Sequence, residues 1–289
     1  MESRRKIRHM LSQRQLIWYA GAFDALSAKL IEQAGFDAVF TTGFGVSAAL
    51  LGQPDLELYT LTENVNVVRN IVKAVDVPVG ADCDTGYGNA INVMRTVREF
   101  EDAGASVIIL EDQLSPKRCP VVFSKIEIVD IDEGVAKIKA AVEARRDPDL
   151  VIVARTDAAT VEEAIVRAKA YAAAGADLVK GIGRTFRKAE DLRRLHQETG
   201  VPLHLTVLGP LEDIPLEELR EMGGIAGFPL IGLTSAAQAM RANLEALQRS
   251  KSTKDLPMPR MEEKELTAIL GMKRLTELQM KYLPEGRAG

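Results

Sequence analysis

The sequence predicts an α/β protein built as a (β/α)8 barrel with an extra C-terminal helix. Three observations carry this expectation. Eight short apolar runs alternate with longer amphipathic stretches, the pattern of parallel strands joined by helices. The runs are rich in Val and Ile and do not alternate strictly between apolar and polar residues, as strands buried on both faces should not. No Gly-x-Gly-x-x-Gly follows the first run, which counts against the rival doubly wound sheet.

The N-terminal stretch MESRRKIRHMLSQRQ is basic and lacks the apolar core of a secretory signal. It reads as a first helix with Met10, Leu11 and Leu16 packing inward. The candidate strands are 16–21, 37–43, 77–84, 106–112, 150–156, 177–182, 201–207 and 224–230. Helical patterns fall at 24–34, 62–74, 89–103, 131–145, 160–174 and 187–199, with Asp, Thr or Asn near several starts and Gly at several ends. The phrases EQAGFDAVF, EDAGASVII and AAAGADLVK recur at irregular spacing and read as junctions where a helix ends, turns at Gly and enters a buried strand. Residues 250–260, polar and proline-rich, read as a linker. A last helix over 261–282 lies outside the eight units, and its Leu266, Ile269, Leu270, Leu275 and Leu278 need a partner surface. The expected organisation is a catalytic barrel over 1–249, then a linker and helix over 250–289 packing on a neighbouring subunit.

Composition excludes several classes. The 289 residues are 46% hydrophobic and 27% charged, the balance of a folded soluble chain. No apolar run reaches the roughly 18 residues of a membrane span. Lys and Arg number 37 against 41 Asp and Glu, a net charge of −4 with a pI near 5.6, which argues against nucleic acid as the main partner. Two cysteines, Cys83 and Cys119, fit a reducing cytoplasm better than a disulfide scaffold.

Parallel barrels do chemistry at the C-terminal ends of their strands. The second candidate strand ends in Thr42-Gly43-Phe44-Gly45, the third in Asp82-Cys83-Asp84-Thr85-Gly86-Tyr87-Gly88, the fourth in Glu111-Asp112 and the fifth in Arg155-Thr156-Asp157. Residues i and i+2 of a strand point to one side, so Asp82 and Asp84 should face Glu111 from the next strand. Three carboxylates so close repel unless a cation neutralises them. Hard oxygen ligands suit Mg²⁺ or Mn²⁺ rather than Zn²⁺. The alternative is that these acids cap helices or pair with Arg155. Arg155 ends a buried strand and needs an anion: a substrate carboxylate, or Asp84, Glu111 or Asp157. Cys119 follows Lys117 and Arg118, which would lower its thiol pKa. Cys83 should point away from the two acids, into packing. His196 reads as a surface residue, and His204 as either core or pocket.

The stretches FDALSAKLIEQAGFDAVFTTGFGVSAALLGQPDL, ADCDTGYGNAINVMRTVREFEDAGASVIILEDQLSPKRC and DPDLVIVARTDA resemble the isocitrate lyase/phosphoenolpyruvate mutase superfamily, above all its 2-methylisocitrate lyase, dimethylmalate lyase and carboxyphosphonoenolpyruvate mutase groups. The resemblance implies a (β/α)8 barrel, usually tetrameric, with the last helix swapped between neighbouring subunits, so a homotetramer or homodimer is the expected assembly. It implies Mg²⁺ held through Asp82, Asp84 and Glu111. Thr42, Gly43 and Phe44 align with the backbone segment that binds the keto-acid carboxylate, Asp55 with a catalytic-site acid, and Arg155 with a substrate-binding arginine. The segment SPKRC, with Lys117 and Cys119, aligns with a gating loop whose cysteine serves lyases as general acid. Three positions depart from the lyases. Cys119 is followed by Pro120-Val121 rather than Gly-His. Ile182 stands near a lyase glutamate, with Lys180 and Arg184 close by. His204 and Thr206 stand where lyases carry an asparagine. An acid is lost and cations are gained on the side that distinguishes substrates, which disfavours a tricarboxylic substrate.

The resulting expectation is a Mg²⁺-dependent carbon–carbon lyase acting on a small α-keto or α-hydroxy dicarboxylic acid through an enolate. The alternatives are an oxaloacetate decarboxylase or a phosphonate C–P mutase or hydrolase, and, from another class, a non-catalytic keto-acid-binding relative.

Overall fold

The computed structural model describes residues 1–118 and 126–283. Its strands are β1 (Ile17–Ala22), β2 (Ala38–Thr41), β3 (Val79–Asp82), β4 (Val107–Glu111), β5 (Val151–Thr156), β6 (Leu178–Gly181), β7 (Leu203–Thr206) and β8 (Gly223–Phe228). They pair in sequence order, all parallel, and β8 closes on β1. The expected (β/α)8 barrel is therefore observed.

Local chemistry explains the boundaries. Asp24 and Ser27 form a reciprocal capping box at the helix Ala25–Gln33, and Asn89 and Asn92 another at Ala90–Ala103. A third box pairs Thr60 with Glu63, so the helix Leu61–Ala74 starts before the Thr62 read from sequence. The three recurring junction phrases share one cause: Gly35, Gly104 and Gly175 take φ of 88°, 99° and 104° after their helices, a conformation that costs any other residue.

Three α-helices were not expected from the sequence, one of them the short Leu216–Met222. Gly43–Leu51 is a helix capped by Thr42, and Ile231–Ser250 is a 20-residue helix. The final helix read over 261–282 is broken into Glu263–Ile269 and Met272–Tyr282, because Gly271 sits at φ 82° between them.

The barrel interior is packed by setting aromatic rings against glycine. Register places Phe40 between Gly21 of β1 and Gly80 of β3, and Tyr19 beside Gly227 of β8. A Cβ at Gly80 would lie 2.1 Å from the Phe40 ring, and one at Gly227 2.1 Å from the Tyr19 carbonyl oxygen. The Tyr19 and Phe40 rings meet at 4.4 Å. Below them the helix Glu2–Ser12 packs against the barrel through Ile7, which is fully buried, with Met10 and Leu11 partly so. Arg4 of that helix is buried too. Its Nε donates to the Ala105 carbonyl at 2.8 Å, and its guanidinium also bonds the Glu101 carbonyl and the Asp147 carboxylate.

The chain divides into two compact units, Met1–Leu233 and a second from Thr234 onward. The second unit holds most of the helix Ile231–Ser250 and the two short helices, and none of its described residues is buried. Met240, Leu244, Leu275 and Met280 are among its exposed apolar side chains. Among the described residues no helix is long and apolar enough to cross a membrane.

Two stability predictions follow from this packing. Replacing Gly80 by Ala overpacks the interior and should lower unfolding free energy by about 3 kcal/mol in a urea titration. Arg4→Met strands buried acceptors and should cost about 2–4 kcal/mol in the same measurement.

Candidate active site

The C-terminal ends of the strands open on a cavity of about 350 Å³ whose wall includes Gly43, Asp55, Asp82, Arg155 and Lys180. Thr42 and Phe44 line it as well. Gly43 begins the helix after β2, and its N–H donates to Asp82 Oδ2 at 3.0 Å. A side chain there would displace the charged groups: a Cβ on Gly43 would lie 2.9 Å from Lys117 Nζ and 3.0 Å from an Asp55 oxygen.

β3 ends at Asp82, so strand alternation does not position Asp84. Instead the chain turns through left-handed residues, Asp84 at φ 50°, Gly86 at 84° and Tyr87 at 59°. This turn brings the Asp84 carboxylate onto Lys117. Tyr87 bonds the other Asp84 oxygen at 3.0 Å, and Asn64 braces Tyr87 at 2.9 Å. Cys83, between the two acids, is packed into the layer between barrel and helices.

Lys117 is the centre of this cluster. Its ammonium pairs with Asp84, lies 3.0 Å from Asp55 Oδ1 and reaches Glu111 Oε1 at 4.0 Å. Arg155 pairs with Glu111 and with Asp157, each at 2.8 Å. Asp84 is not its partner. Among the described residues no three acidic, imidazole or thiol groups are gathered closely enough to hold a metal ion; the lysine ammonium stands among the acids instead.

The acids are still short of partners. Asp84 Oδ1, Asp55 Oδ1 and both Glu111 carboxylate oxygens are buried without a well-formed hydrogen bond, although cations lie within ion-pair distance. Burial pushes the Asp55, Asp84 and Glu111 carboxyls up despite Lys117 and Arg155. Asp82 differs: burial opposes its ionisation, but Lys117, Arg155 and the Gly43 N–H together hold it below the usual carboxylate range.

Two positioning networks were not read from the sequence. Glu57, at φ 57°, accepts hydrogen bonds from Thr85 Oγ1, Ser115 Oγ and the Lys117 N–H, the last two at 2.9 Å. It ties the loop after β4 to the turn after β3. Asp112 points away from Glu111 and accepts from Tyr171 at 2.8 Å and from the Asp157 N–H at 2.9 Å, with Arg167 also in contact. Asp112 could have been found by alternation along β4; Glu57 carried no sequence signal.

His204 is core: it is 2% exposed and its ring packs against Tyr19 and Phe40. His196 is half-buried and its Nδ1 contacts the Val201 carbonyl at 2.9 Å. Cys119 lies outside the described residues.

Comparison with known proteins agrees with this architecture. The chain is 41% identical over 290 residues to 2,3-dimethylmalate lyase of Eubacterium barkeri, covering 98% of this chain and 99% of that protein. It is 42% identical over 227 residues to a probable 2-methylisocitrate lyase of Corynebacterium glutamicum, covering 77% and 73%. Its fold matches a crystal structure of phosphonopyruvate hydrolase complexed with oxalate and Mg²⁺, with a TM-score of 0.88, 30% identity and coverage of 98% and 100%. The phosphoenolpyruvate phosphomutase family model matches residues 7–251, and the chain belongs to that family, within the isocitrate lyase/phosphoenolpyruvate mutase superfamily.

Proposed function

We propose that the protein is a divalent-metal-dependent carbon–carbon lyase that cleaves a small α-hydroxy or α-keto dicarboxylic acid. The observation that carries this is the charge imbalance at the barrel mouth. Five carboxylates, Asp55, Asp82, Asp84, Glu111 and Asp157, share two ion-paired cations, Lys117 and Arg155. Several of their oxygens are buried without hydrogen bonds.

That donor set fits Mg²⁺ or Mn²⁺, held through Asp82, Asp84 and Glu111, with the Lys117 ammonium as a cationic stand-in. When bound, such an ion acts as a Lewis acid on the substrate oxygen where negative charge develops. The chain's own groups do the rest. The Gly43–Phe44 backbone at the helix start and the Arg155 guanidinium bind and orient the carboxylate. Asp55, 3.0 Å from Lys117 and pushed up by burial, accepts the substrate hydroxyl proton as the C–C bond breaks. Cys119, behind Lys117 and Arg118 in sequence, returns a proton to the carbanion carbon. Asp157 and Asp112 keep Arg155 in place. The relatives named as dimethylmalate and methylisocitrate lyases support the reaction class, and the Mg²⁺–oxalate complex of a structural relative supports the ion.

We further propose that the exposed apolar residues of the second unit pair with another copy of the chain, giving a homodimer or homotetramer. The two cysteines fit a cytoplasmic setting.

A panel of 2-alkylmalates, 2-methylisocitrate, oxaloacetate and phosphonopyruvate, assayed with and without Mg²⁺, tests the activity. Turnover of a 2-alkylmalate should vanish with chelator. It should fall about 10³-fold or more in Asp82→Asn, which removes a charged ligand of the ion that stabilises the developing negative charge. Cys119→Ala should reduce it about 10²-fold or more, the usual worth of a general acid; undiminished turnover would remove Cys119 from the mechanism. Phosphonopyruvate as the sole substrate would instead establish C–P chemistry. In light scattering, Leu275→Asp with Met280→Asp should shift the assembly to a smaller species; an unchanged mass would separate these helices from the interface.

A further inference from the structure

Lys180 is the cation at the cavity that the structure leaves without a partner. It lies on β6, in register with Arg155 on β5, and lines the same cavity. Arg155 is matched by Glu111 and Asp157, and Lys117 by Asp84 and Asp55. Among the described residues Lys180 makes no ion pair and no hydrogen bond. Its neighbour across to β7 gives no help. Extending the Val179–Leu203 register places His204 beside it, and both His204 ring nitrogens are buried without partners. Burial, then Lys180 itself, holds that imidazole well below its ordinary pKa, so it stays neutral. Burial and the nearby Arg155 bring the Lys180 ammonium down to about 8, so it remains largely charged at neutral pH.

Lys180 is half-buried, and an ammonium removed from part of its water with no ion pair in return is unfavourable unless a ligand brings one. The surrounding wall states what kind of ligand. Asp82 and Asp55 lie on the same cavity, and Asp82 acts on Lys180 through space, but neither acid forms an ion pair with it among the described residues. A second anionic group on the ligand can form one, if the ligand is longer than oxalate. Phe44, Ile182 and Leu208 also line the cavity and offer apolar surface to an alkyl branch, beside the polar Thr206 and Arg184.

We propose that Lys180 is a specificity-determining residue that pairs with the second carboxylate of the substrate and selects alkyl-substituted dicarboxylates over monocarboxylates. This rests on the metal-dependent reading of the acid cluster.

The test is calorimetric binding to the full-length protein in Mg²⁺, with three probes. Oxalate reports the acid cluster alone. 2-Methylmalate and 2-hydroxy-2-methylbutyrate share the hydroxy-acid end and differ in the second carboxylate. The wild-type protein should prefer 2-methylmalate by about 30-fold or more, as expected of a desolvated charge pair. Lys180→Met and the isosteric Lys180→Gln should erase that preference while changing oxalate affinity by less than about 3-fold. Lys180→Arg should retain part of it. A preference that persists in both neutral variants, or an equal loss for all three probes, would overturn the role of Lys180 alone. Absence of Mg²⁺-dependent oxalate binding by the wild-type protein would overturn the underlying metal reading and this inference with it. Thermal melting of each variant separates misfolding from lost recognition.

Discussion

The structure depends on how a surplus of carboxylates is kept ionised or neutral at the mouth of a closed barrel. Transfer of a carboxylate from water is costly unless cations and hydrogen bonds replace its hydration. Here one lysine ammonium contacts Asp55, Asp84 and Glu111, and one guanidinium bridges Glu111 and Asp157. The compensation is incomplete: Asp84 and Glu111 are pushed toward their protonated forms. A folded protein would gain stability by losing some of these acids, so their retention in one place is best understood as poised chemistry.

The surrounding shell makes that poise geometric. Glu57 fastens the backbone of Lys117 and Ser115 to the turn carrying Thr85. Tyr171 and Arg167 fasten Asp112, which holds the Asp157 backbone, which in turn sets Arg155. Lys117 and Arg155 are therefore each steadied by acids outside the main cavity's lining, half-buried Glu57 in one case and buried Asp112 and Asp157 in the other. Such supporting bonds are what restrict first-contact groups to a productive geometry.

The barrel supplies the rigid frame. Tyr19 and Phe40 interdigitate with glycine on the neighbouring strands, and the packing leaves His204 enclosed with unused nitrogens. The same packing forms the floor beneath Lys180. In the second unit the situation is reversed: none of its described residues is buried, and apolar side chains such as Leu275 and Met280 stand exposed, a state of a surface built for contact.

The sequence alone determined the architecture and most of the site's composition. Parallel strands covered on both faces need continuous apolar runs, and eight of them with helical spacers specify a closed α/β barrel. Strand ends then name Asp82, Glu111 and Arg155, because a barrel presents its chemistry there. The tertiary structure decided what those groups touch. Asp84 reaches Lys117 through a left-handed turn that alternation does not foresee, and Arg155 chose Glu111 and Asp157 from three acids of equal promise. Glu57, and the lack of an ion pair at Lys180, became visible only in three dimensions. Pairing and isolation of charges depend on distances between segments far apart in the chain, and local residue patterns carry no record of those distances.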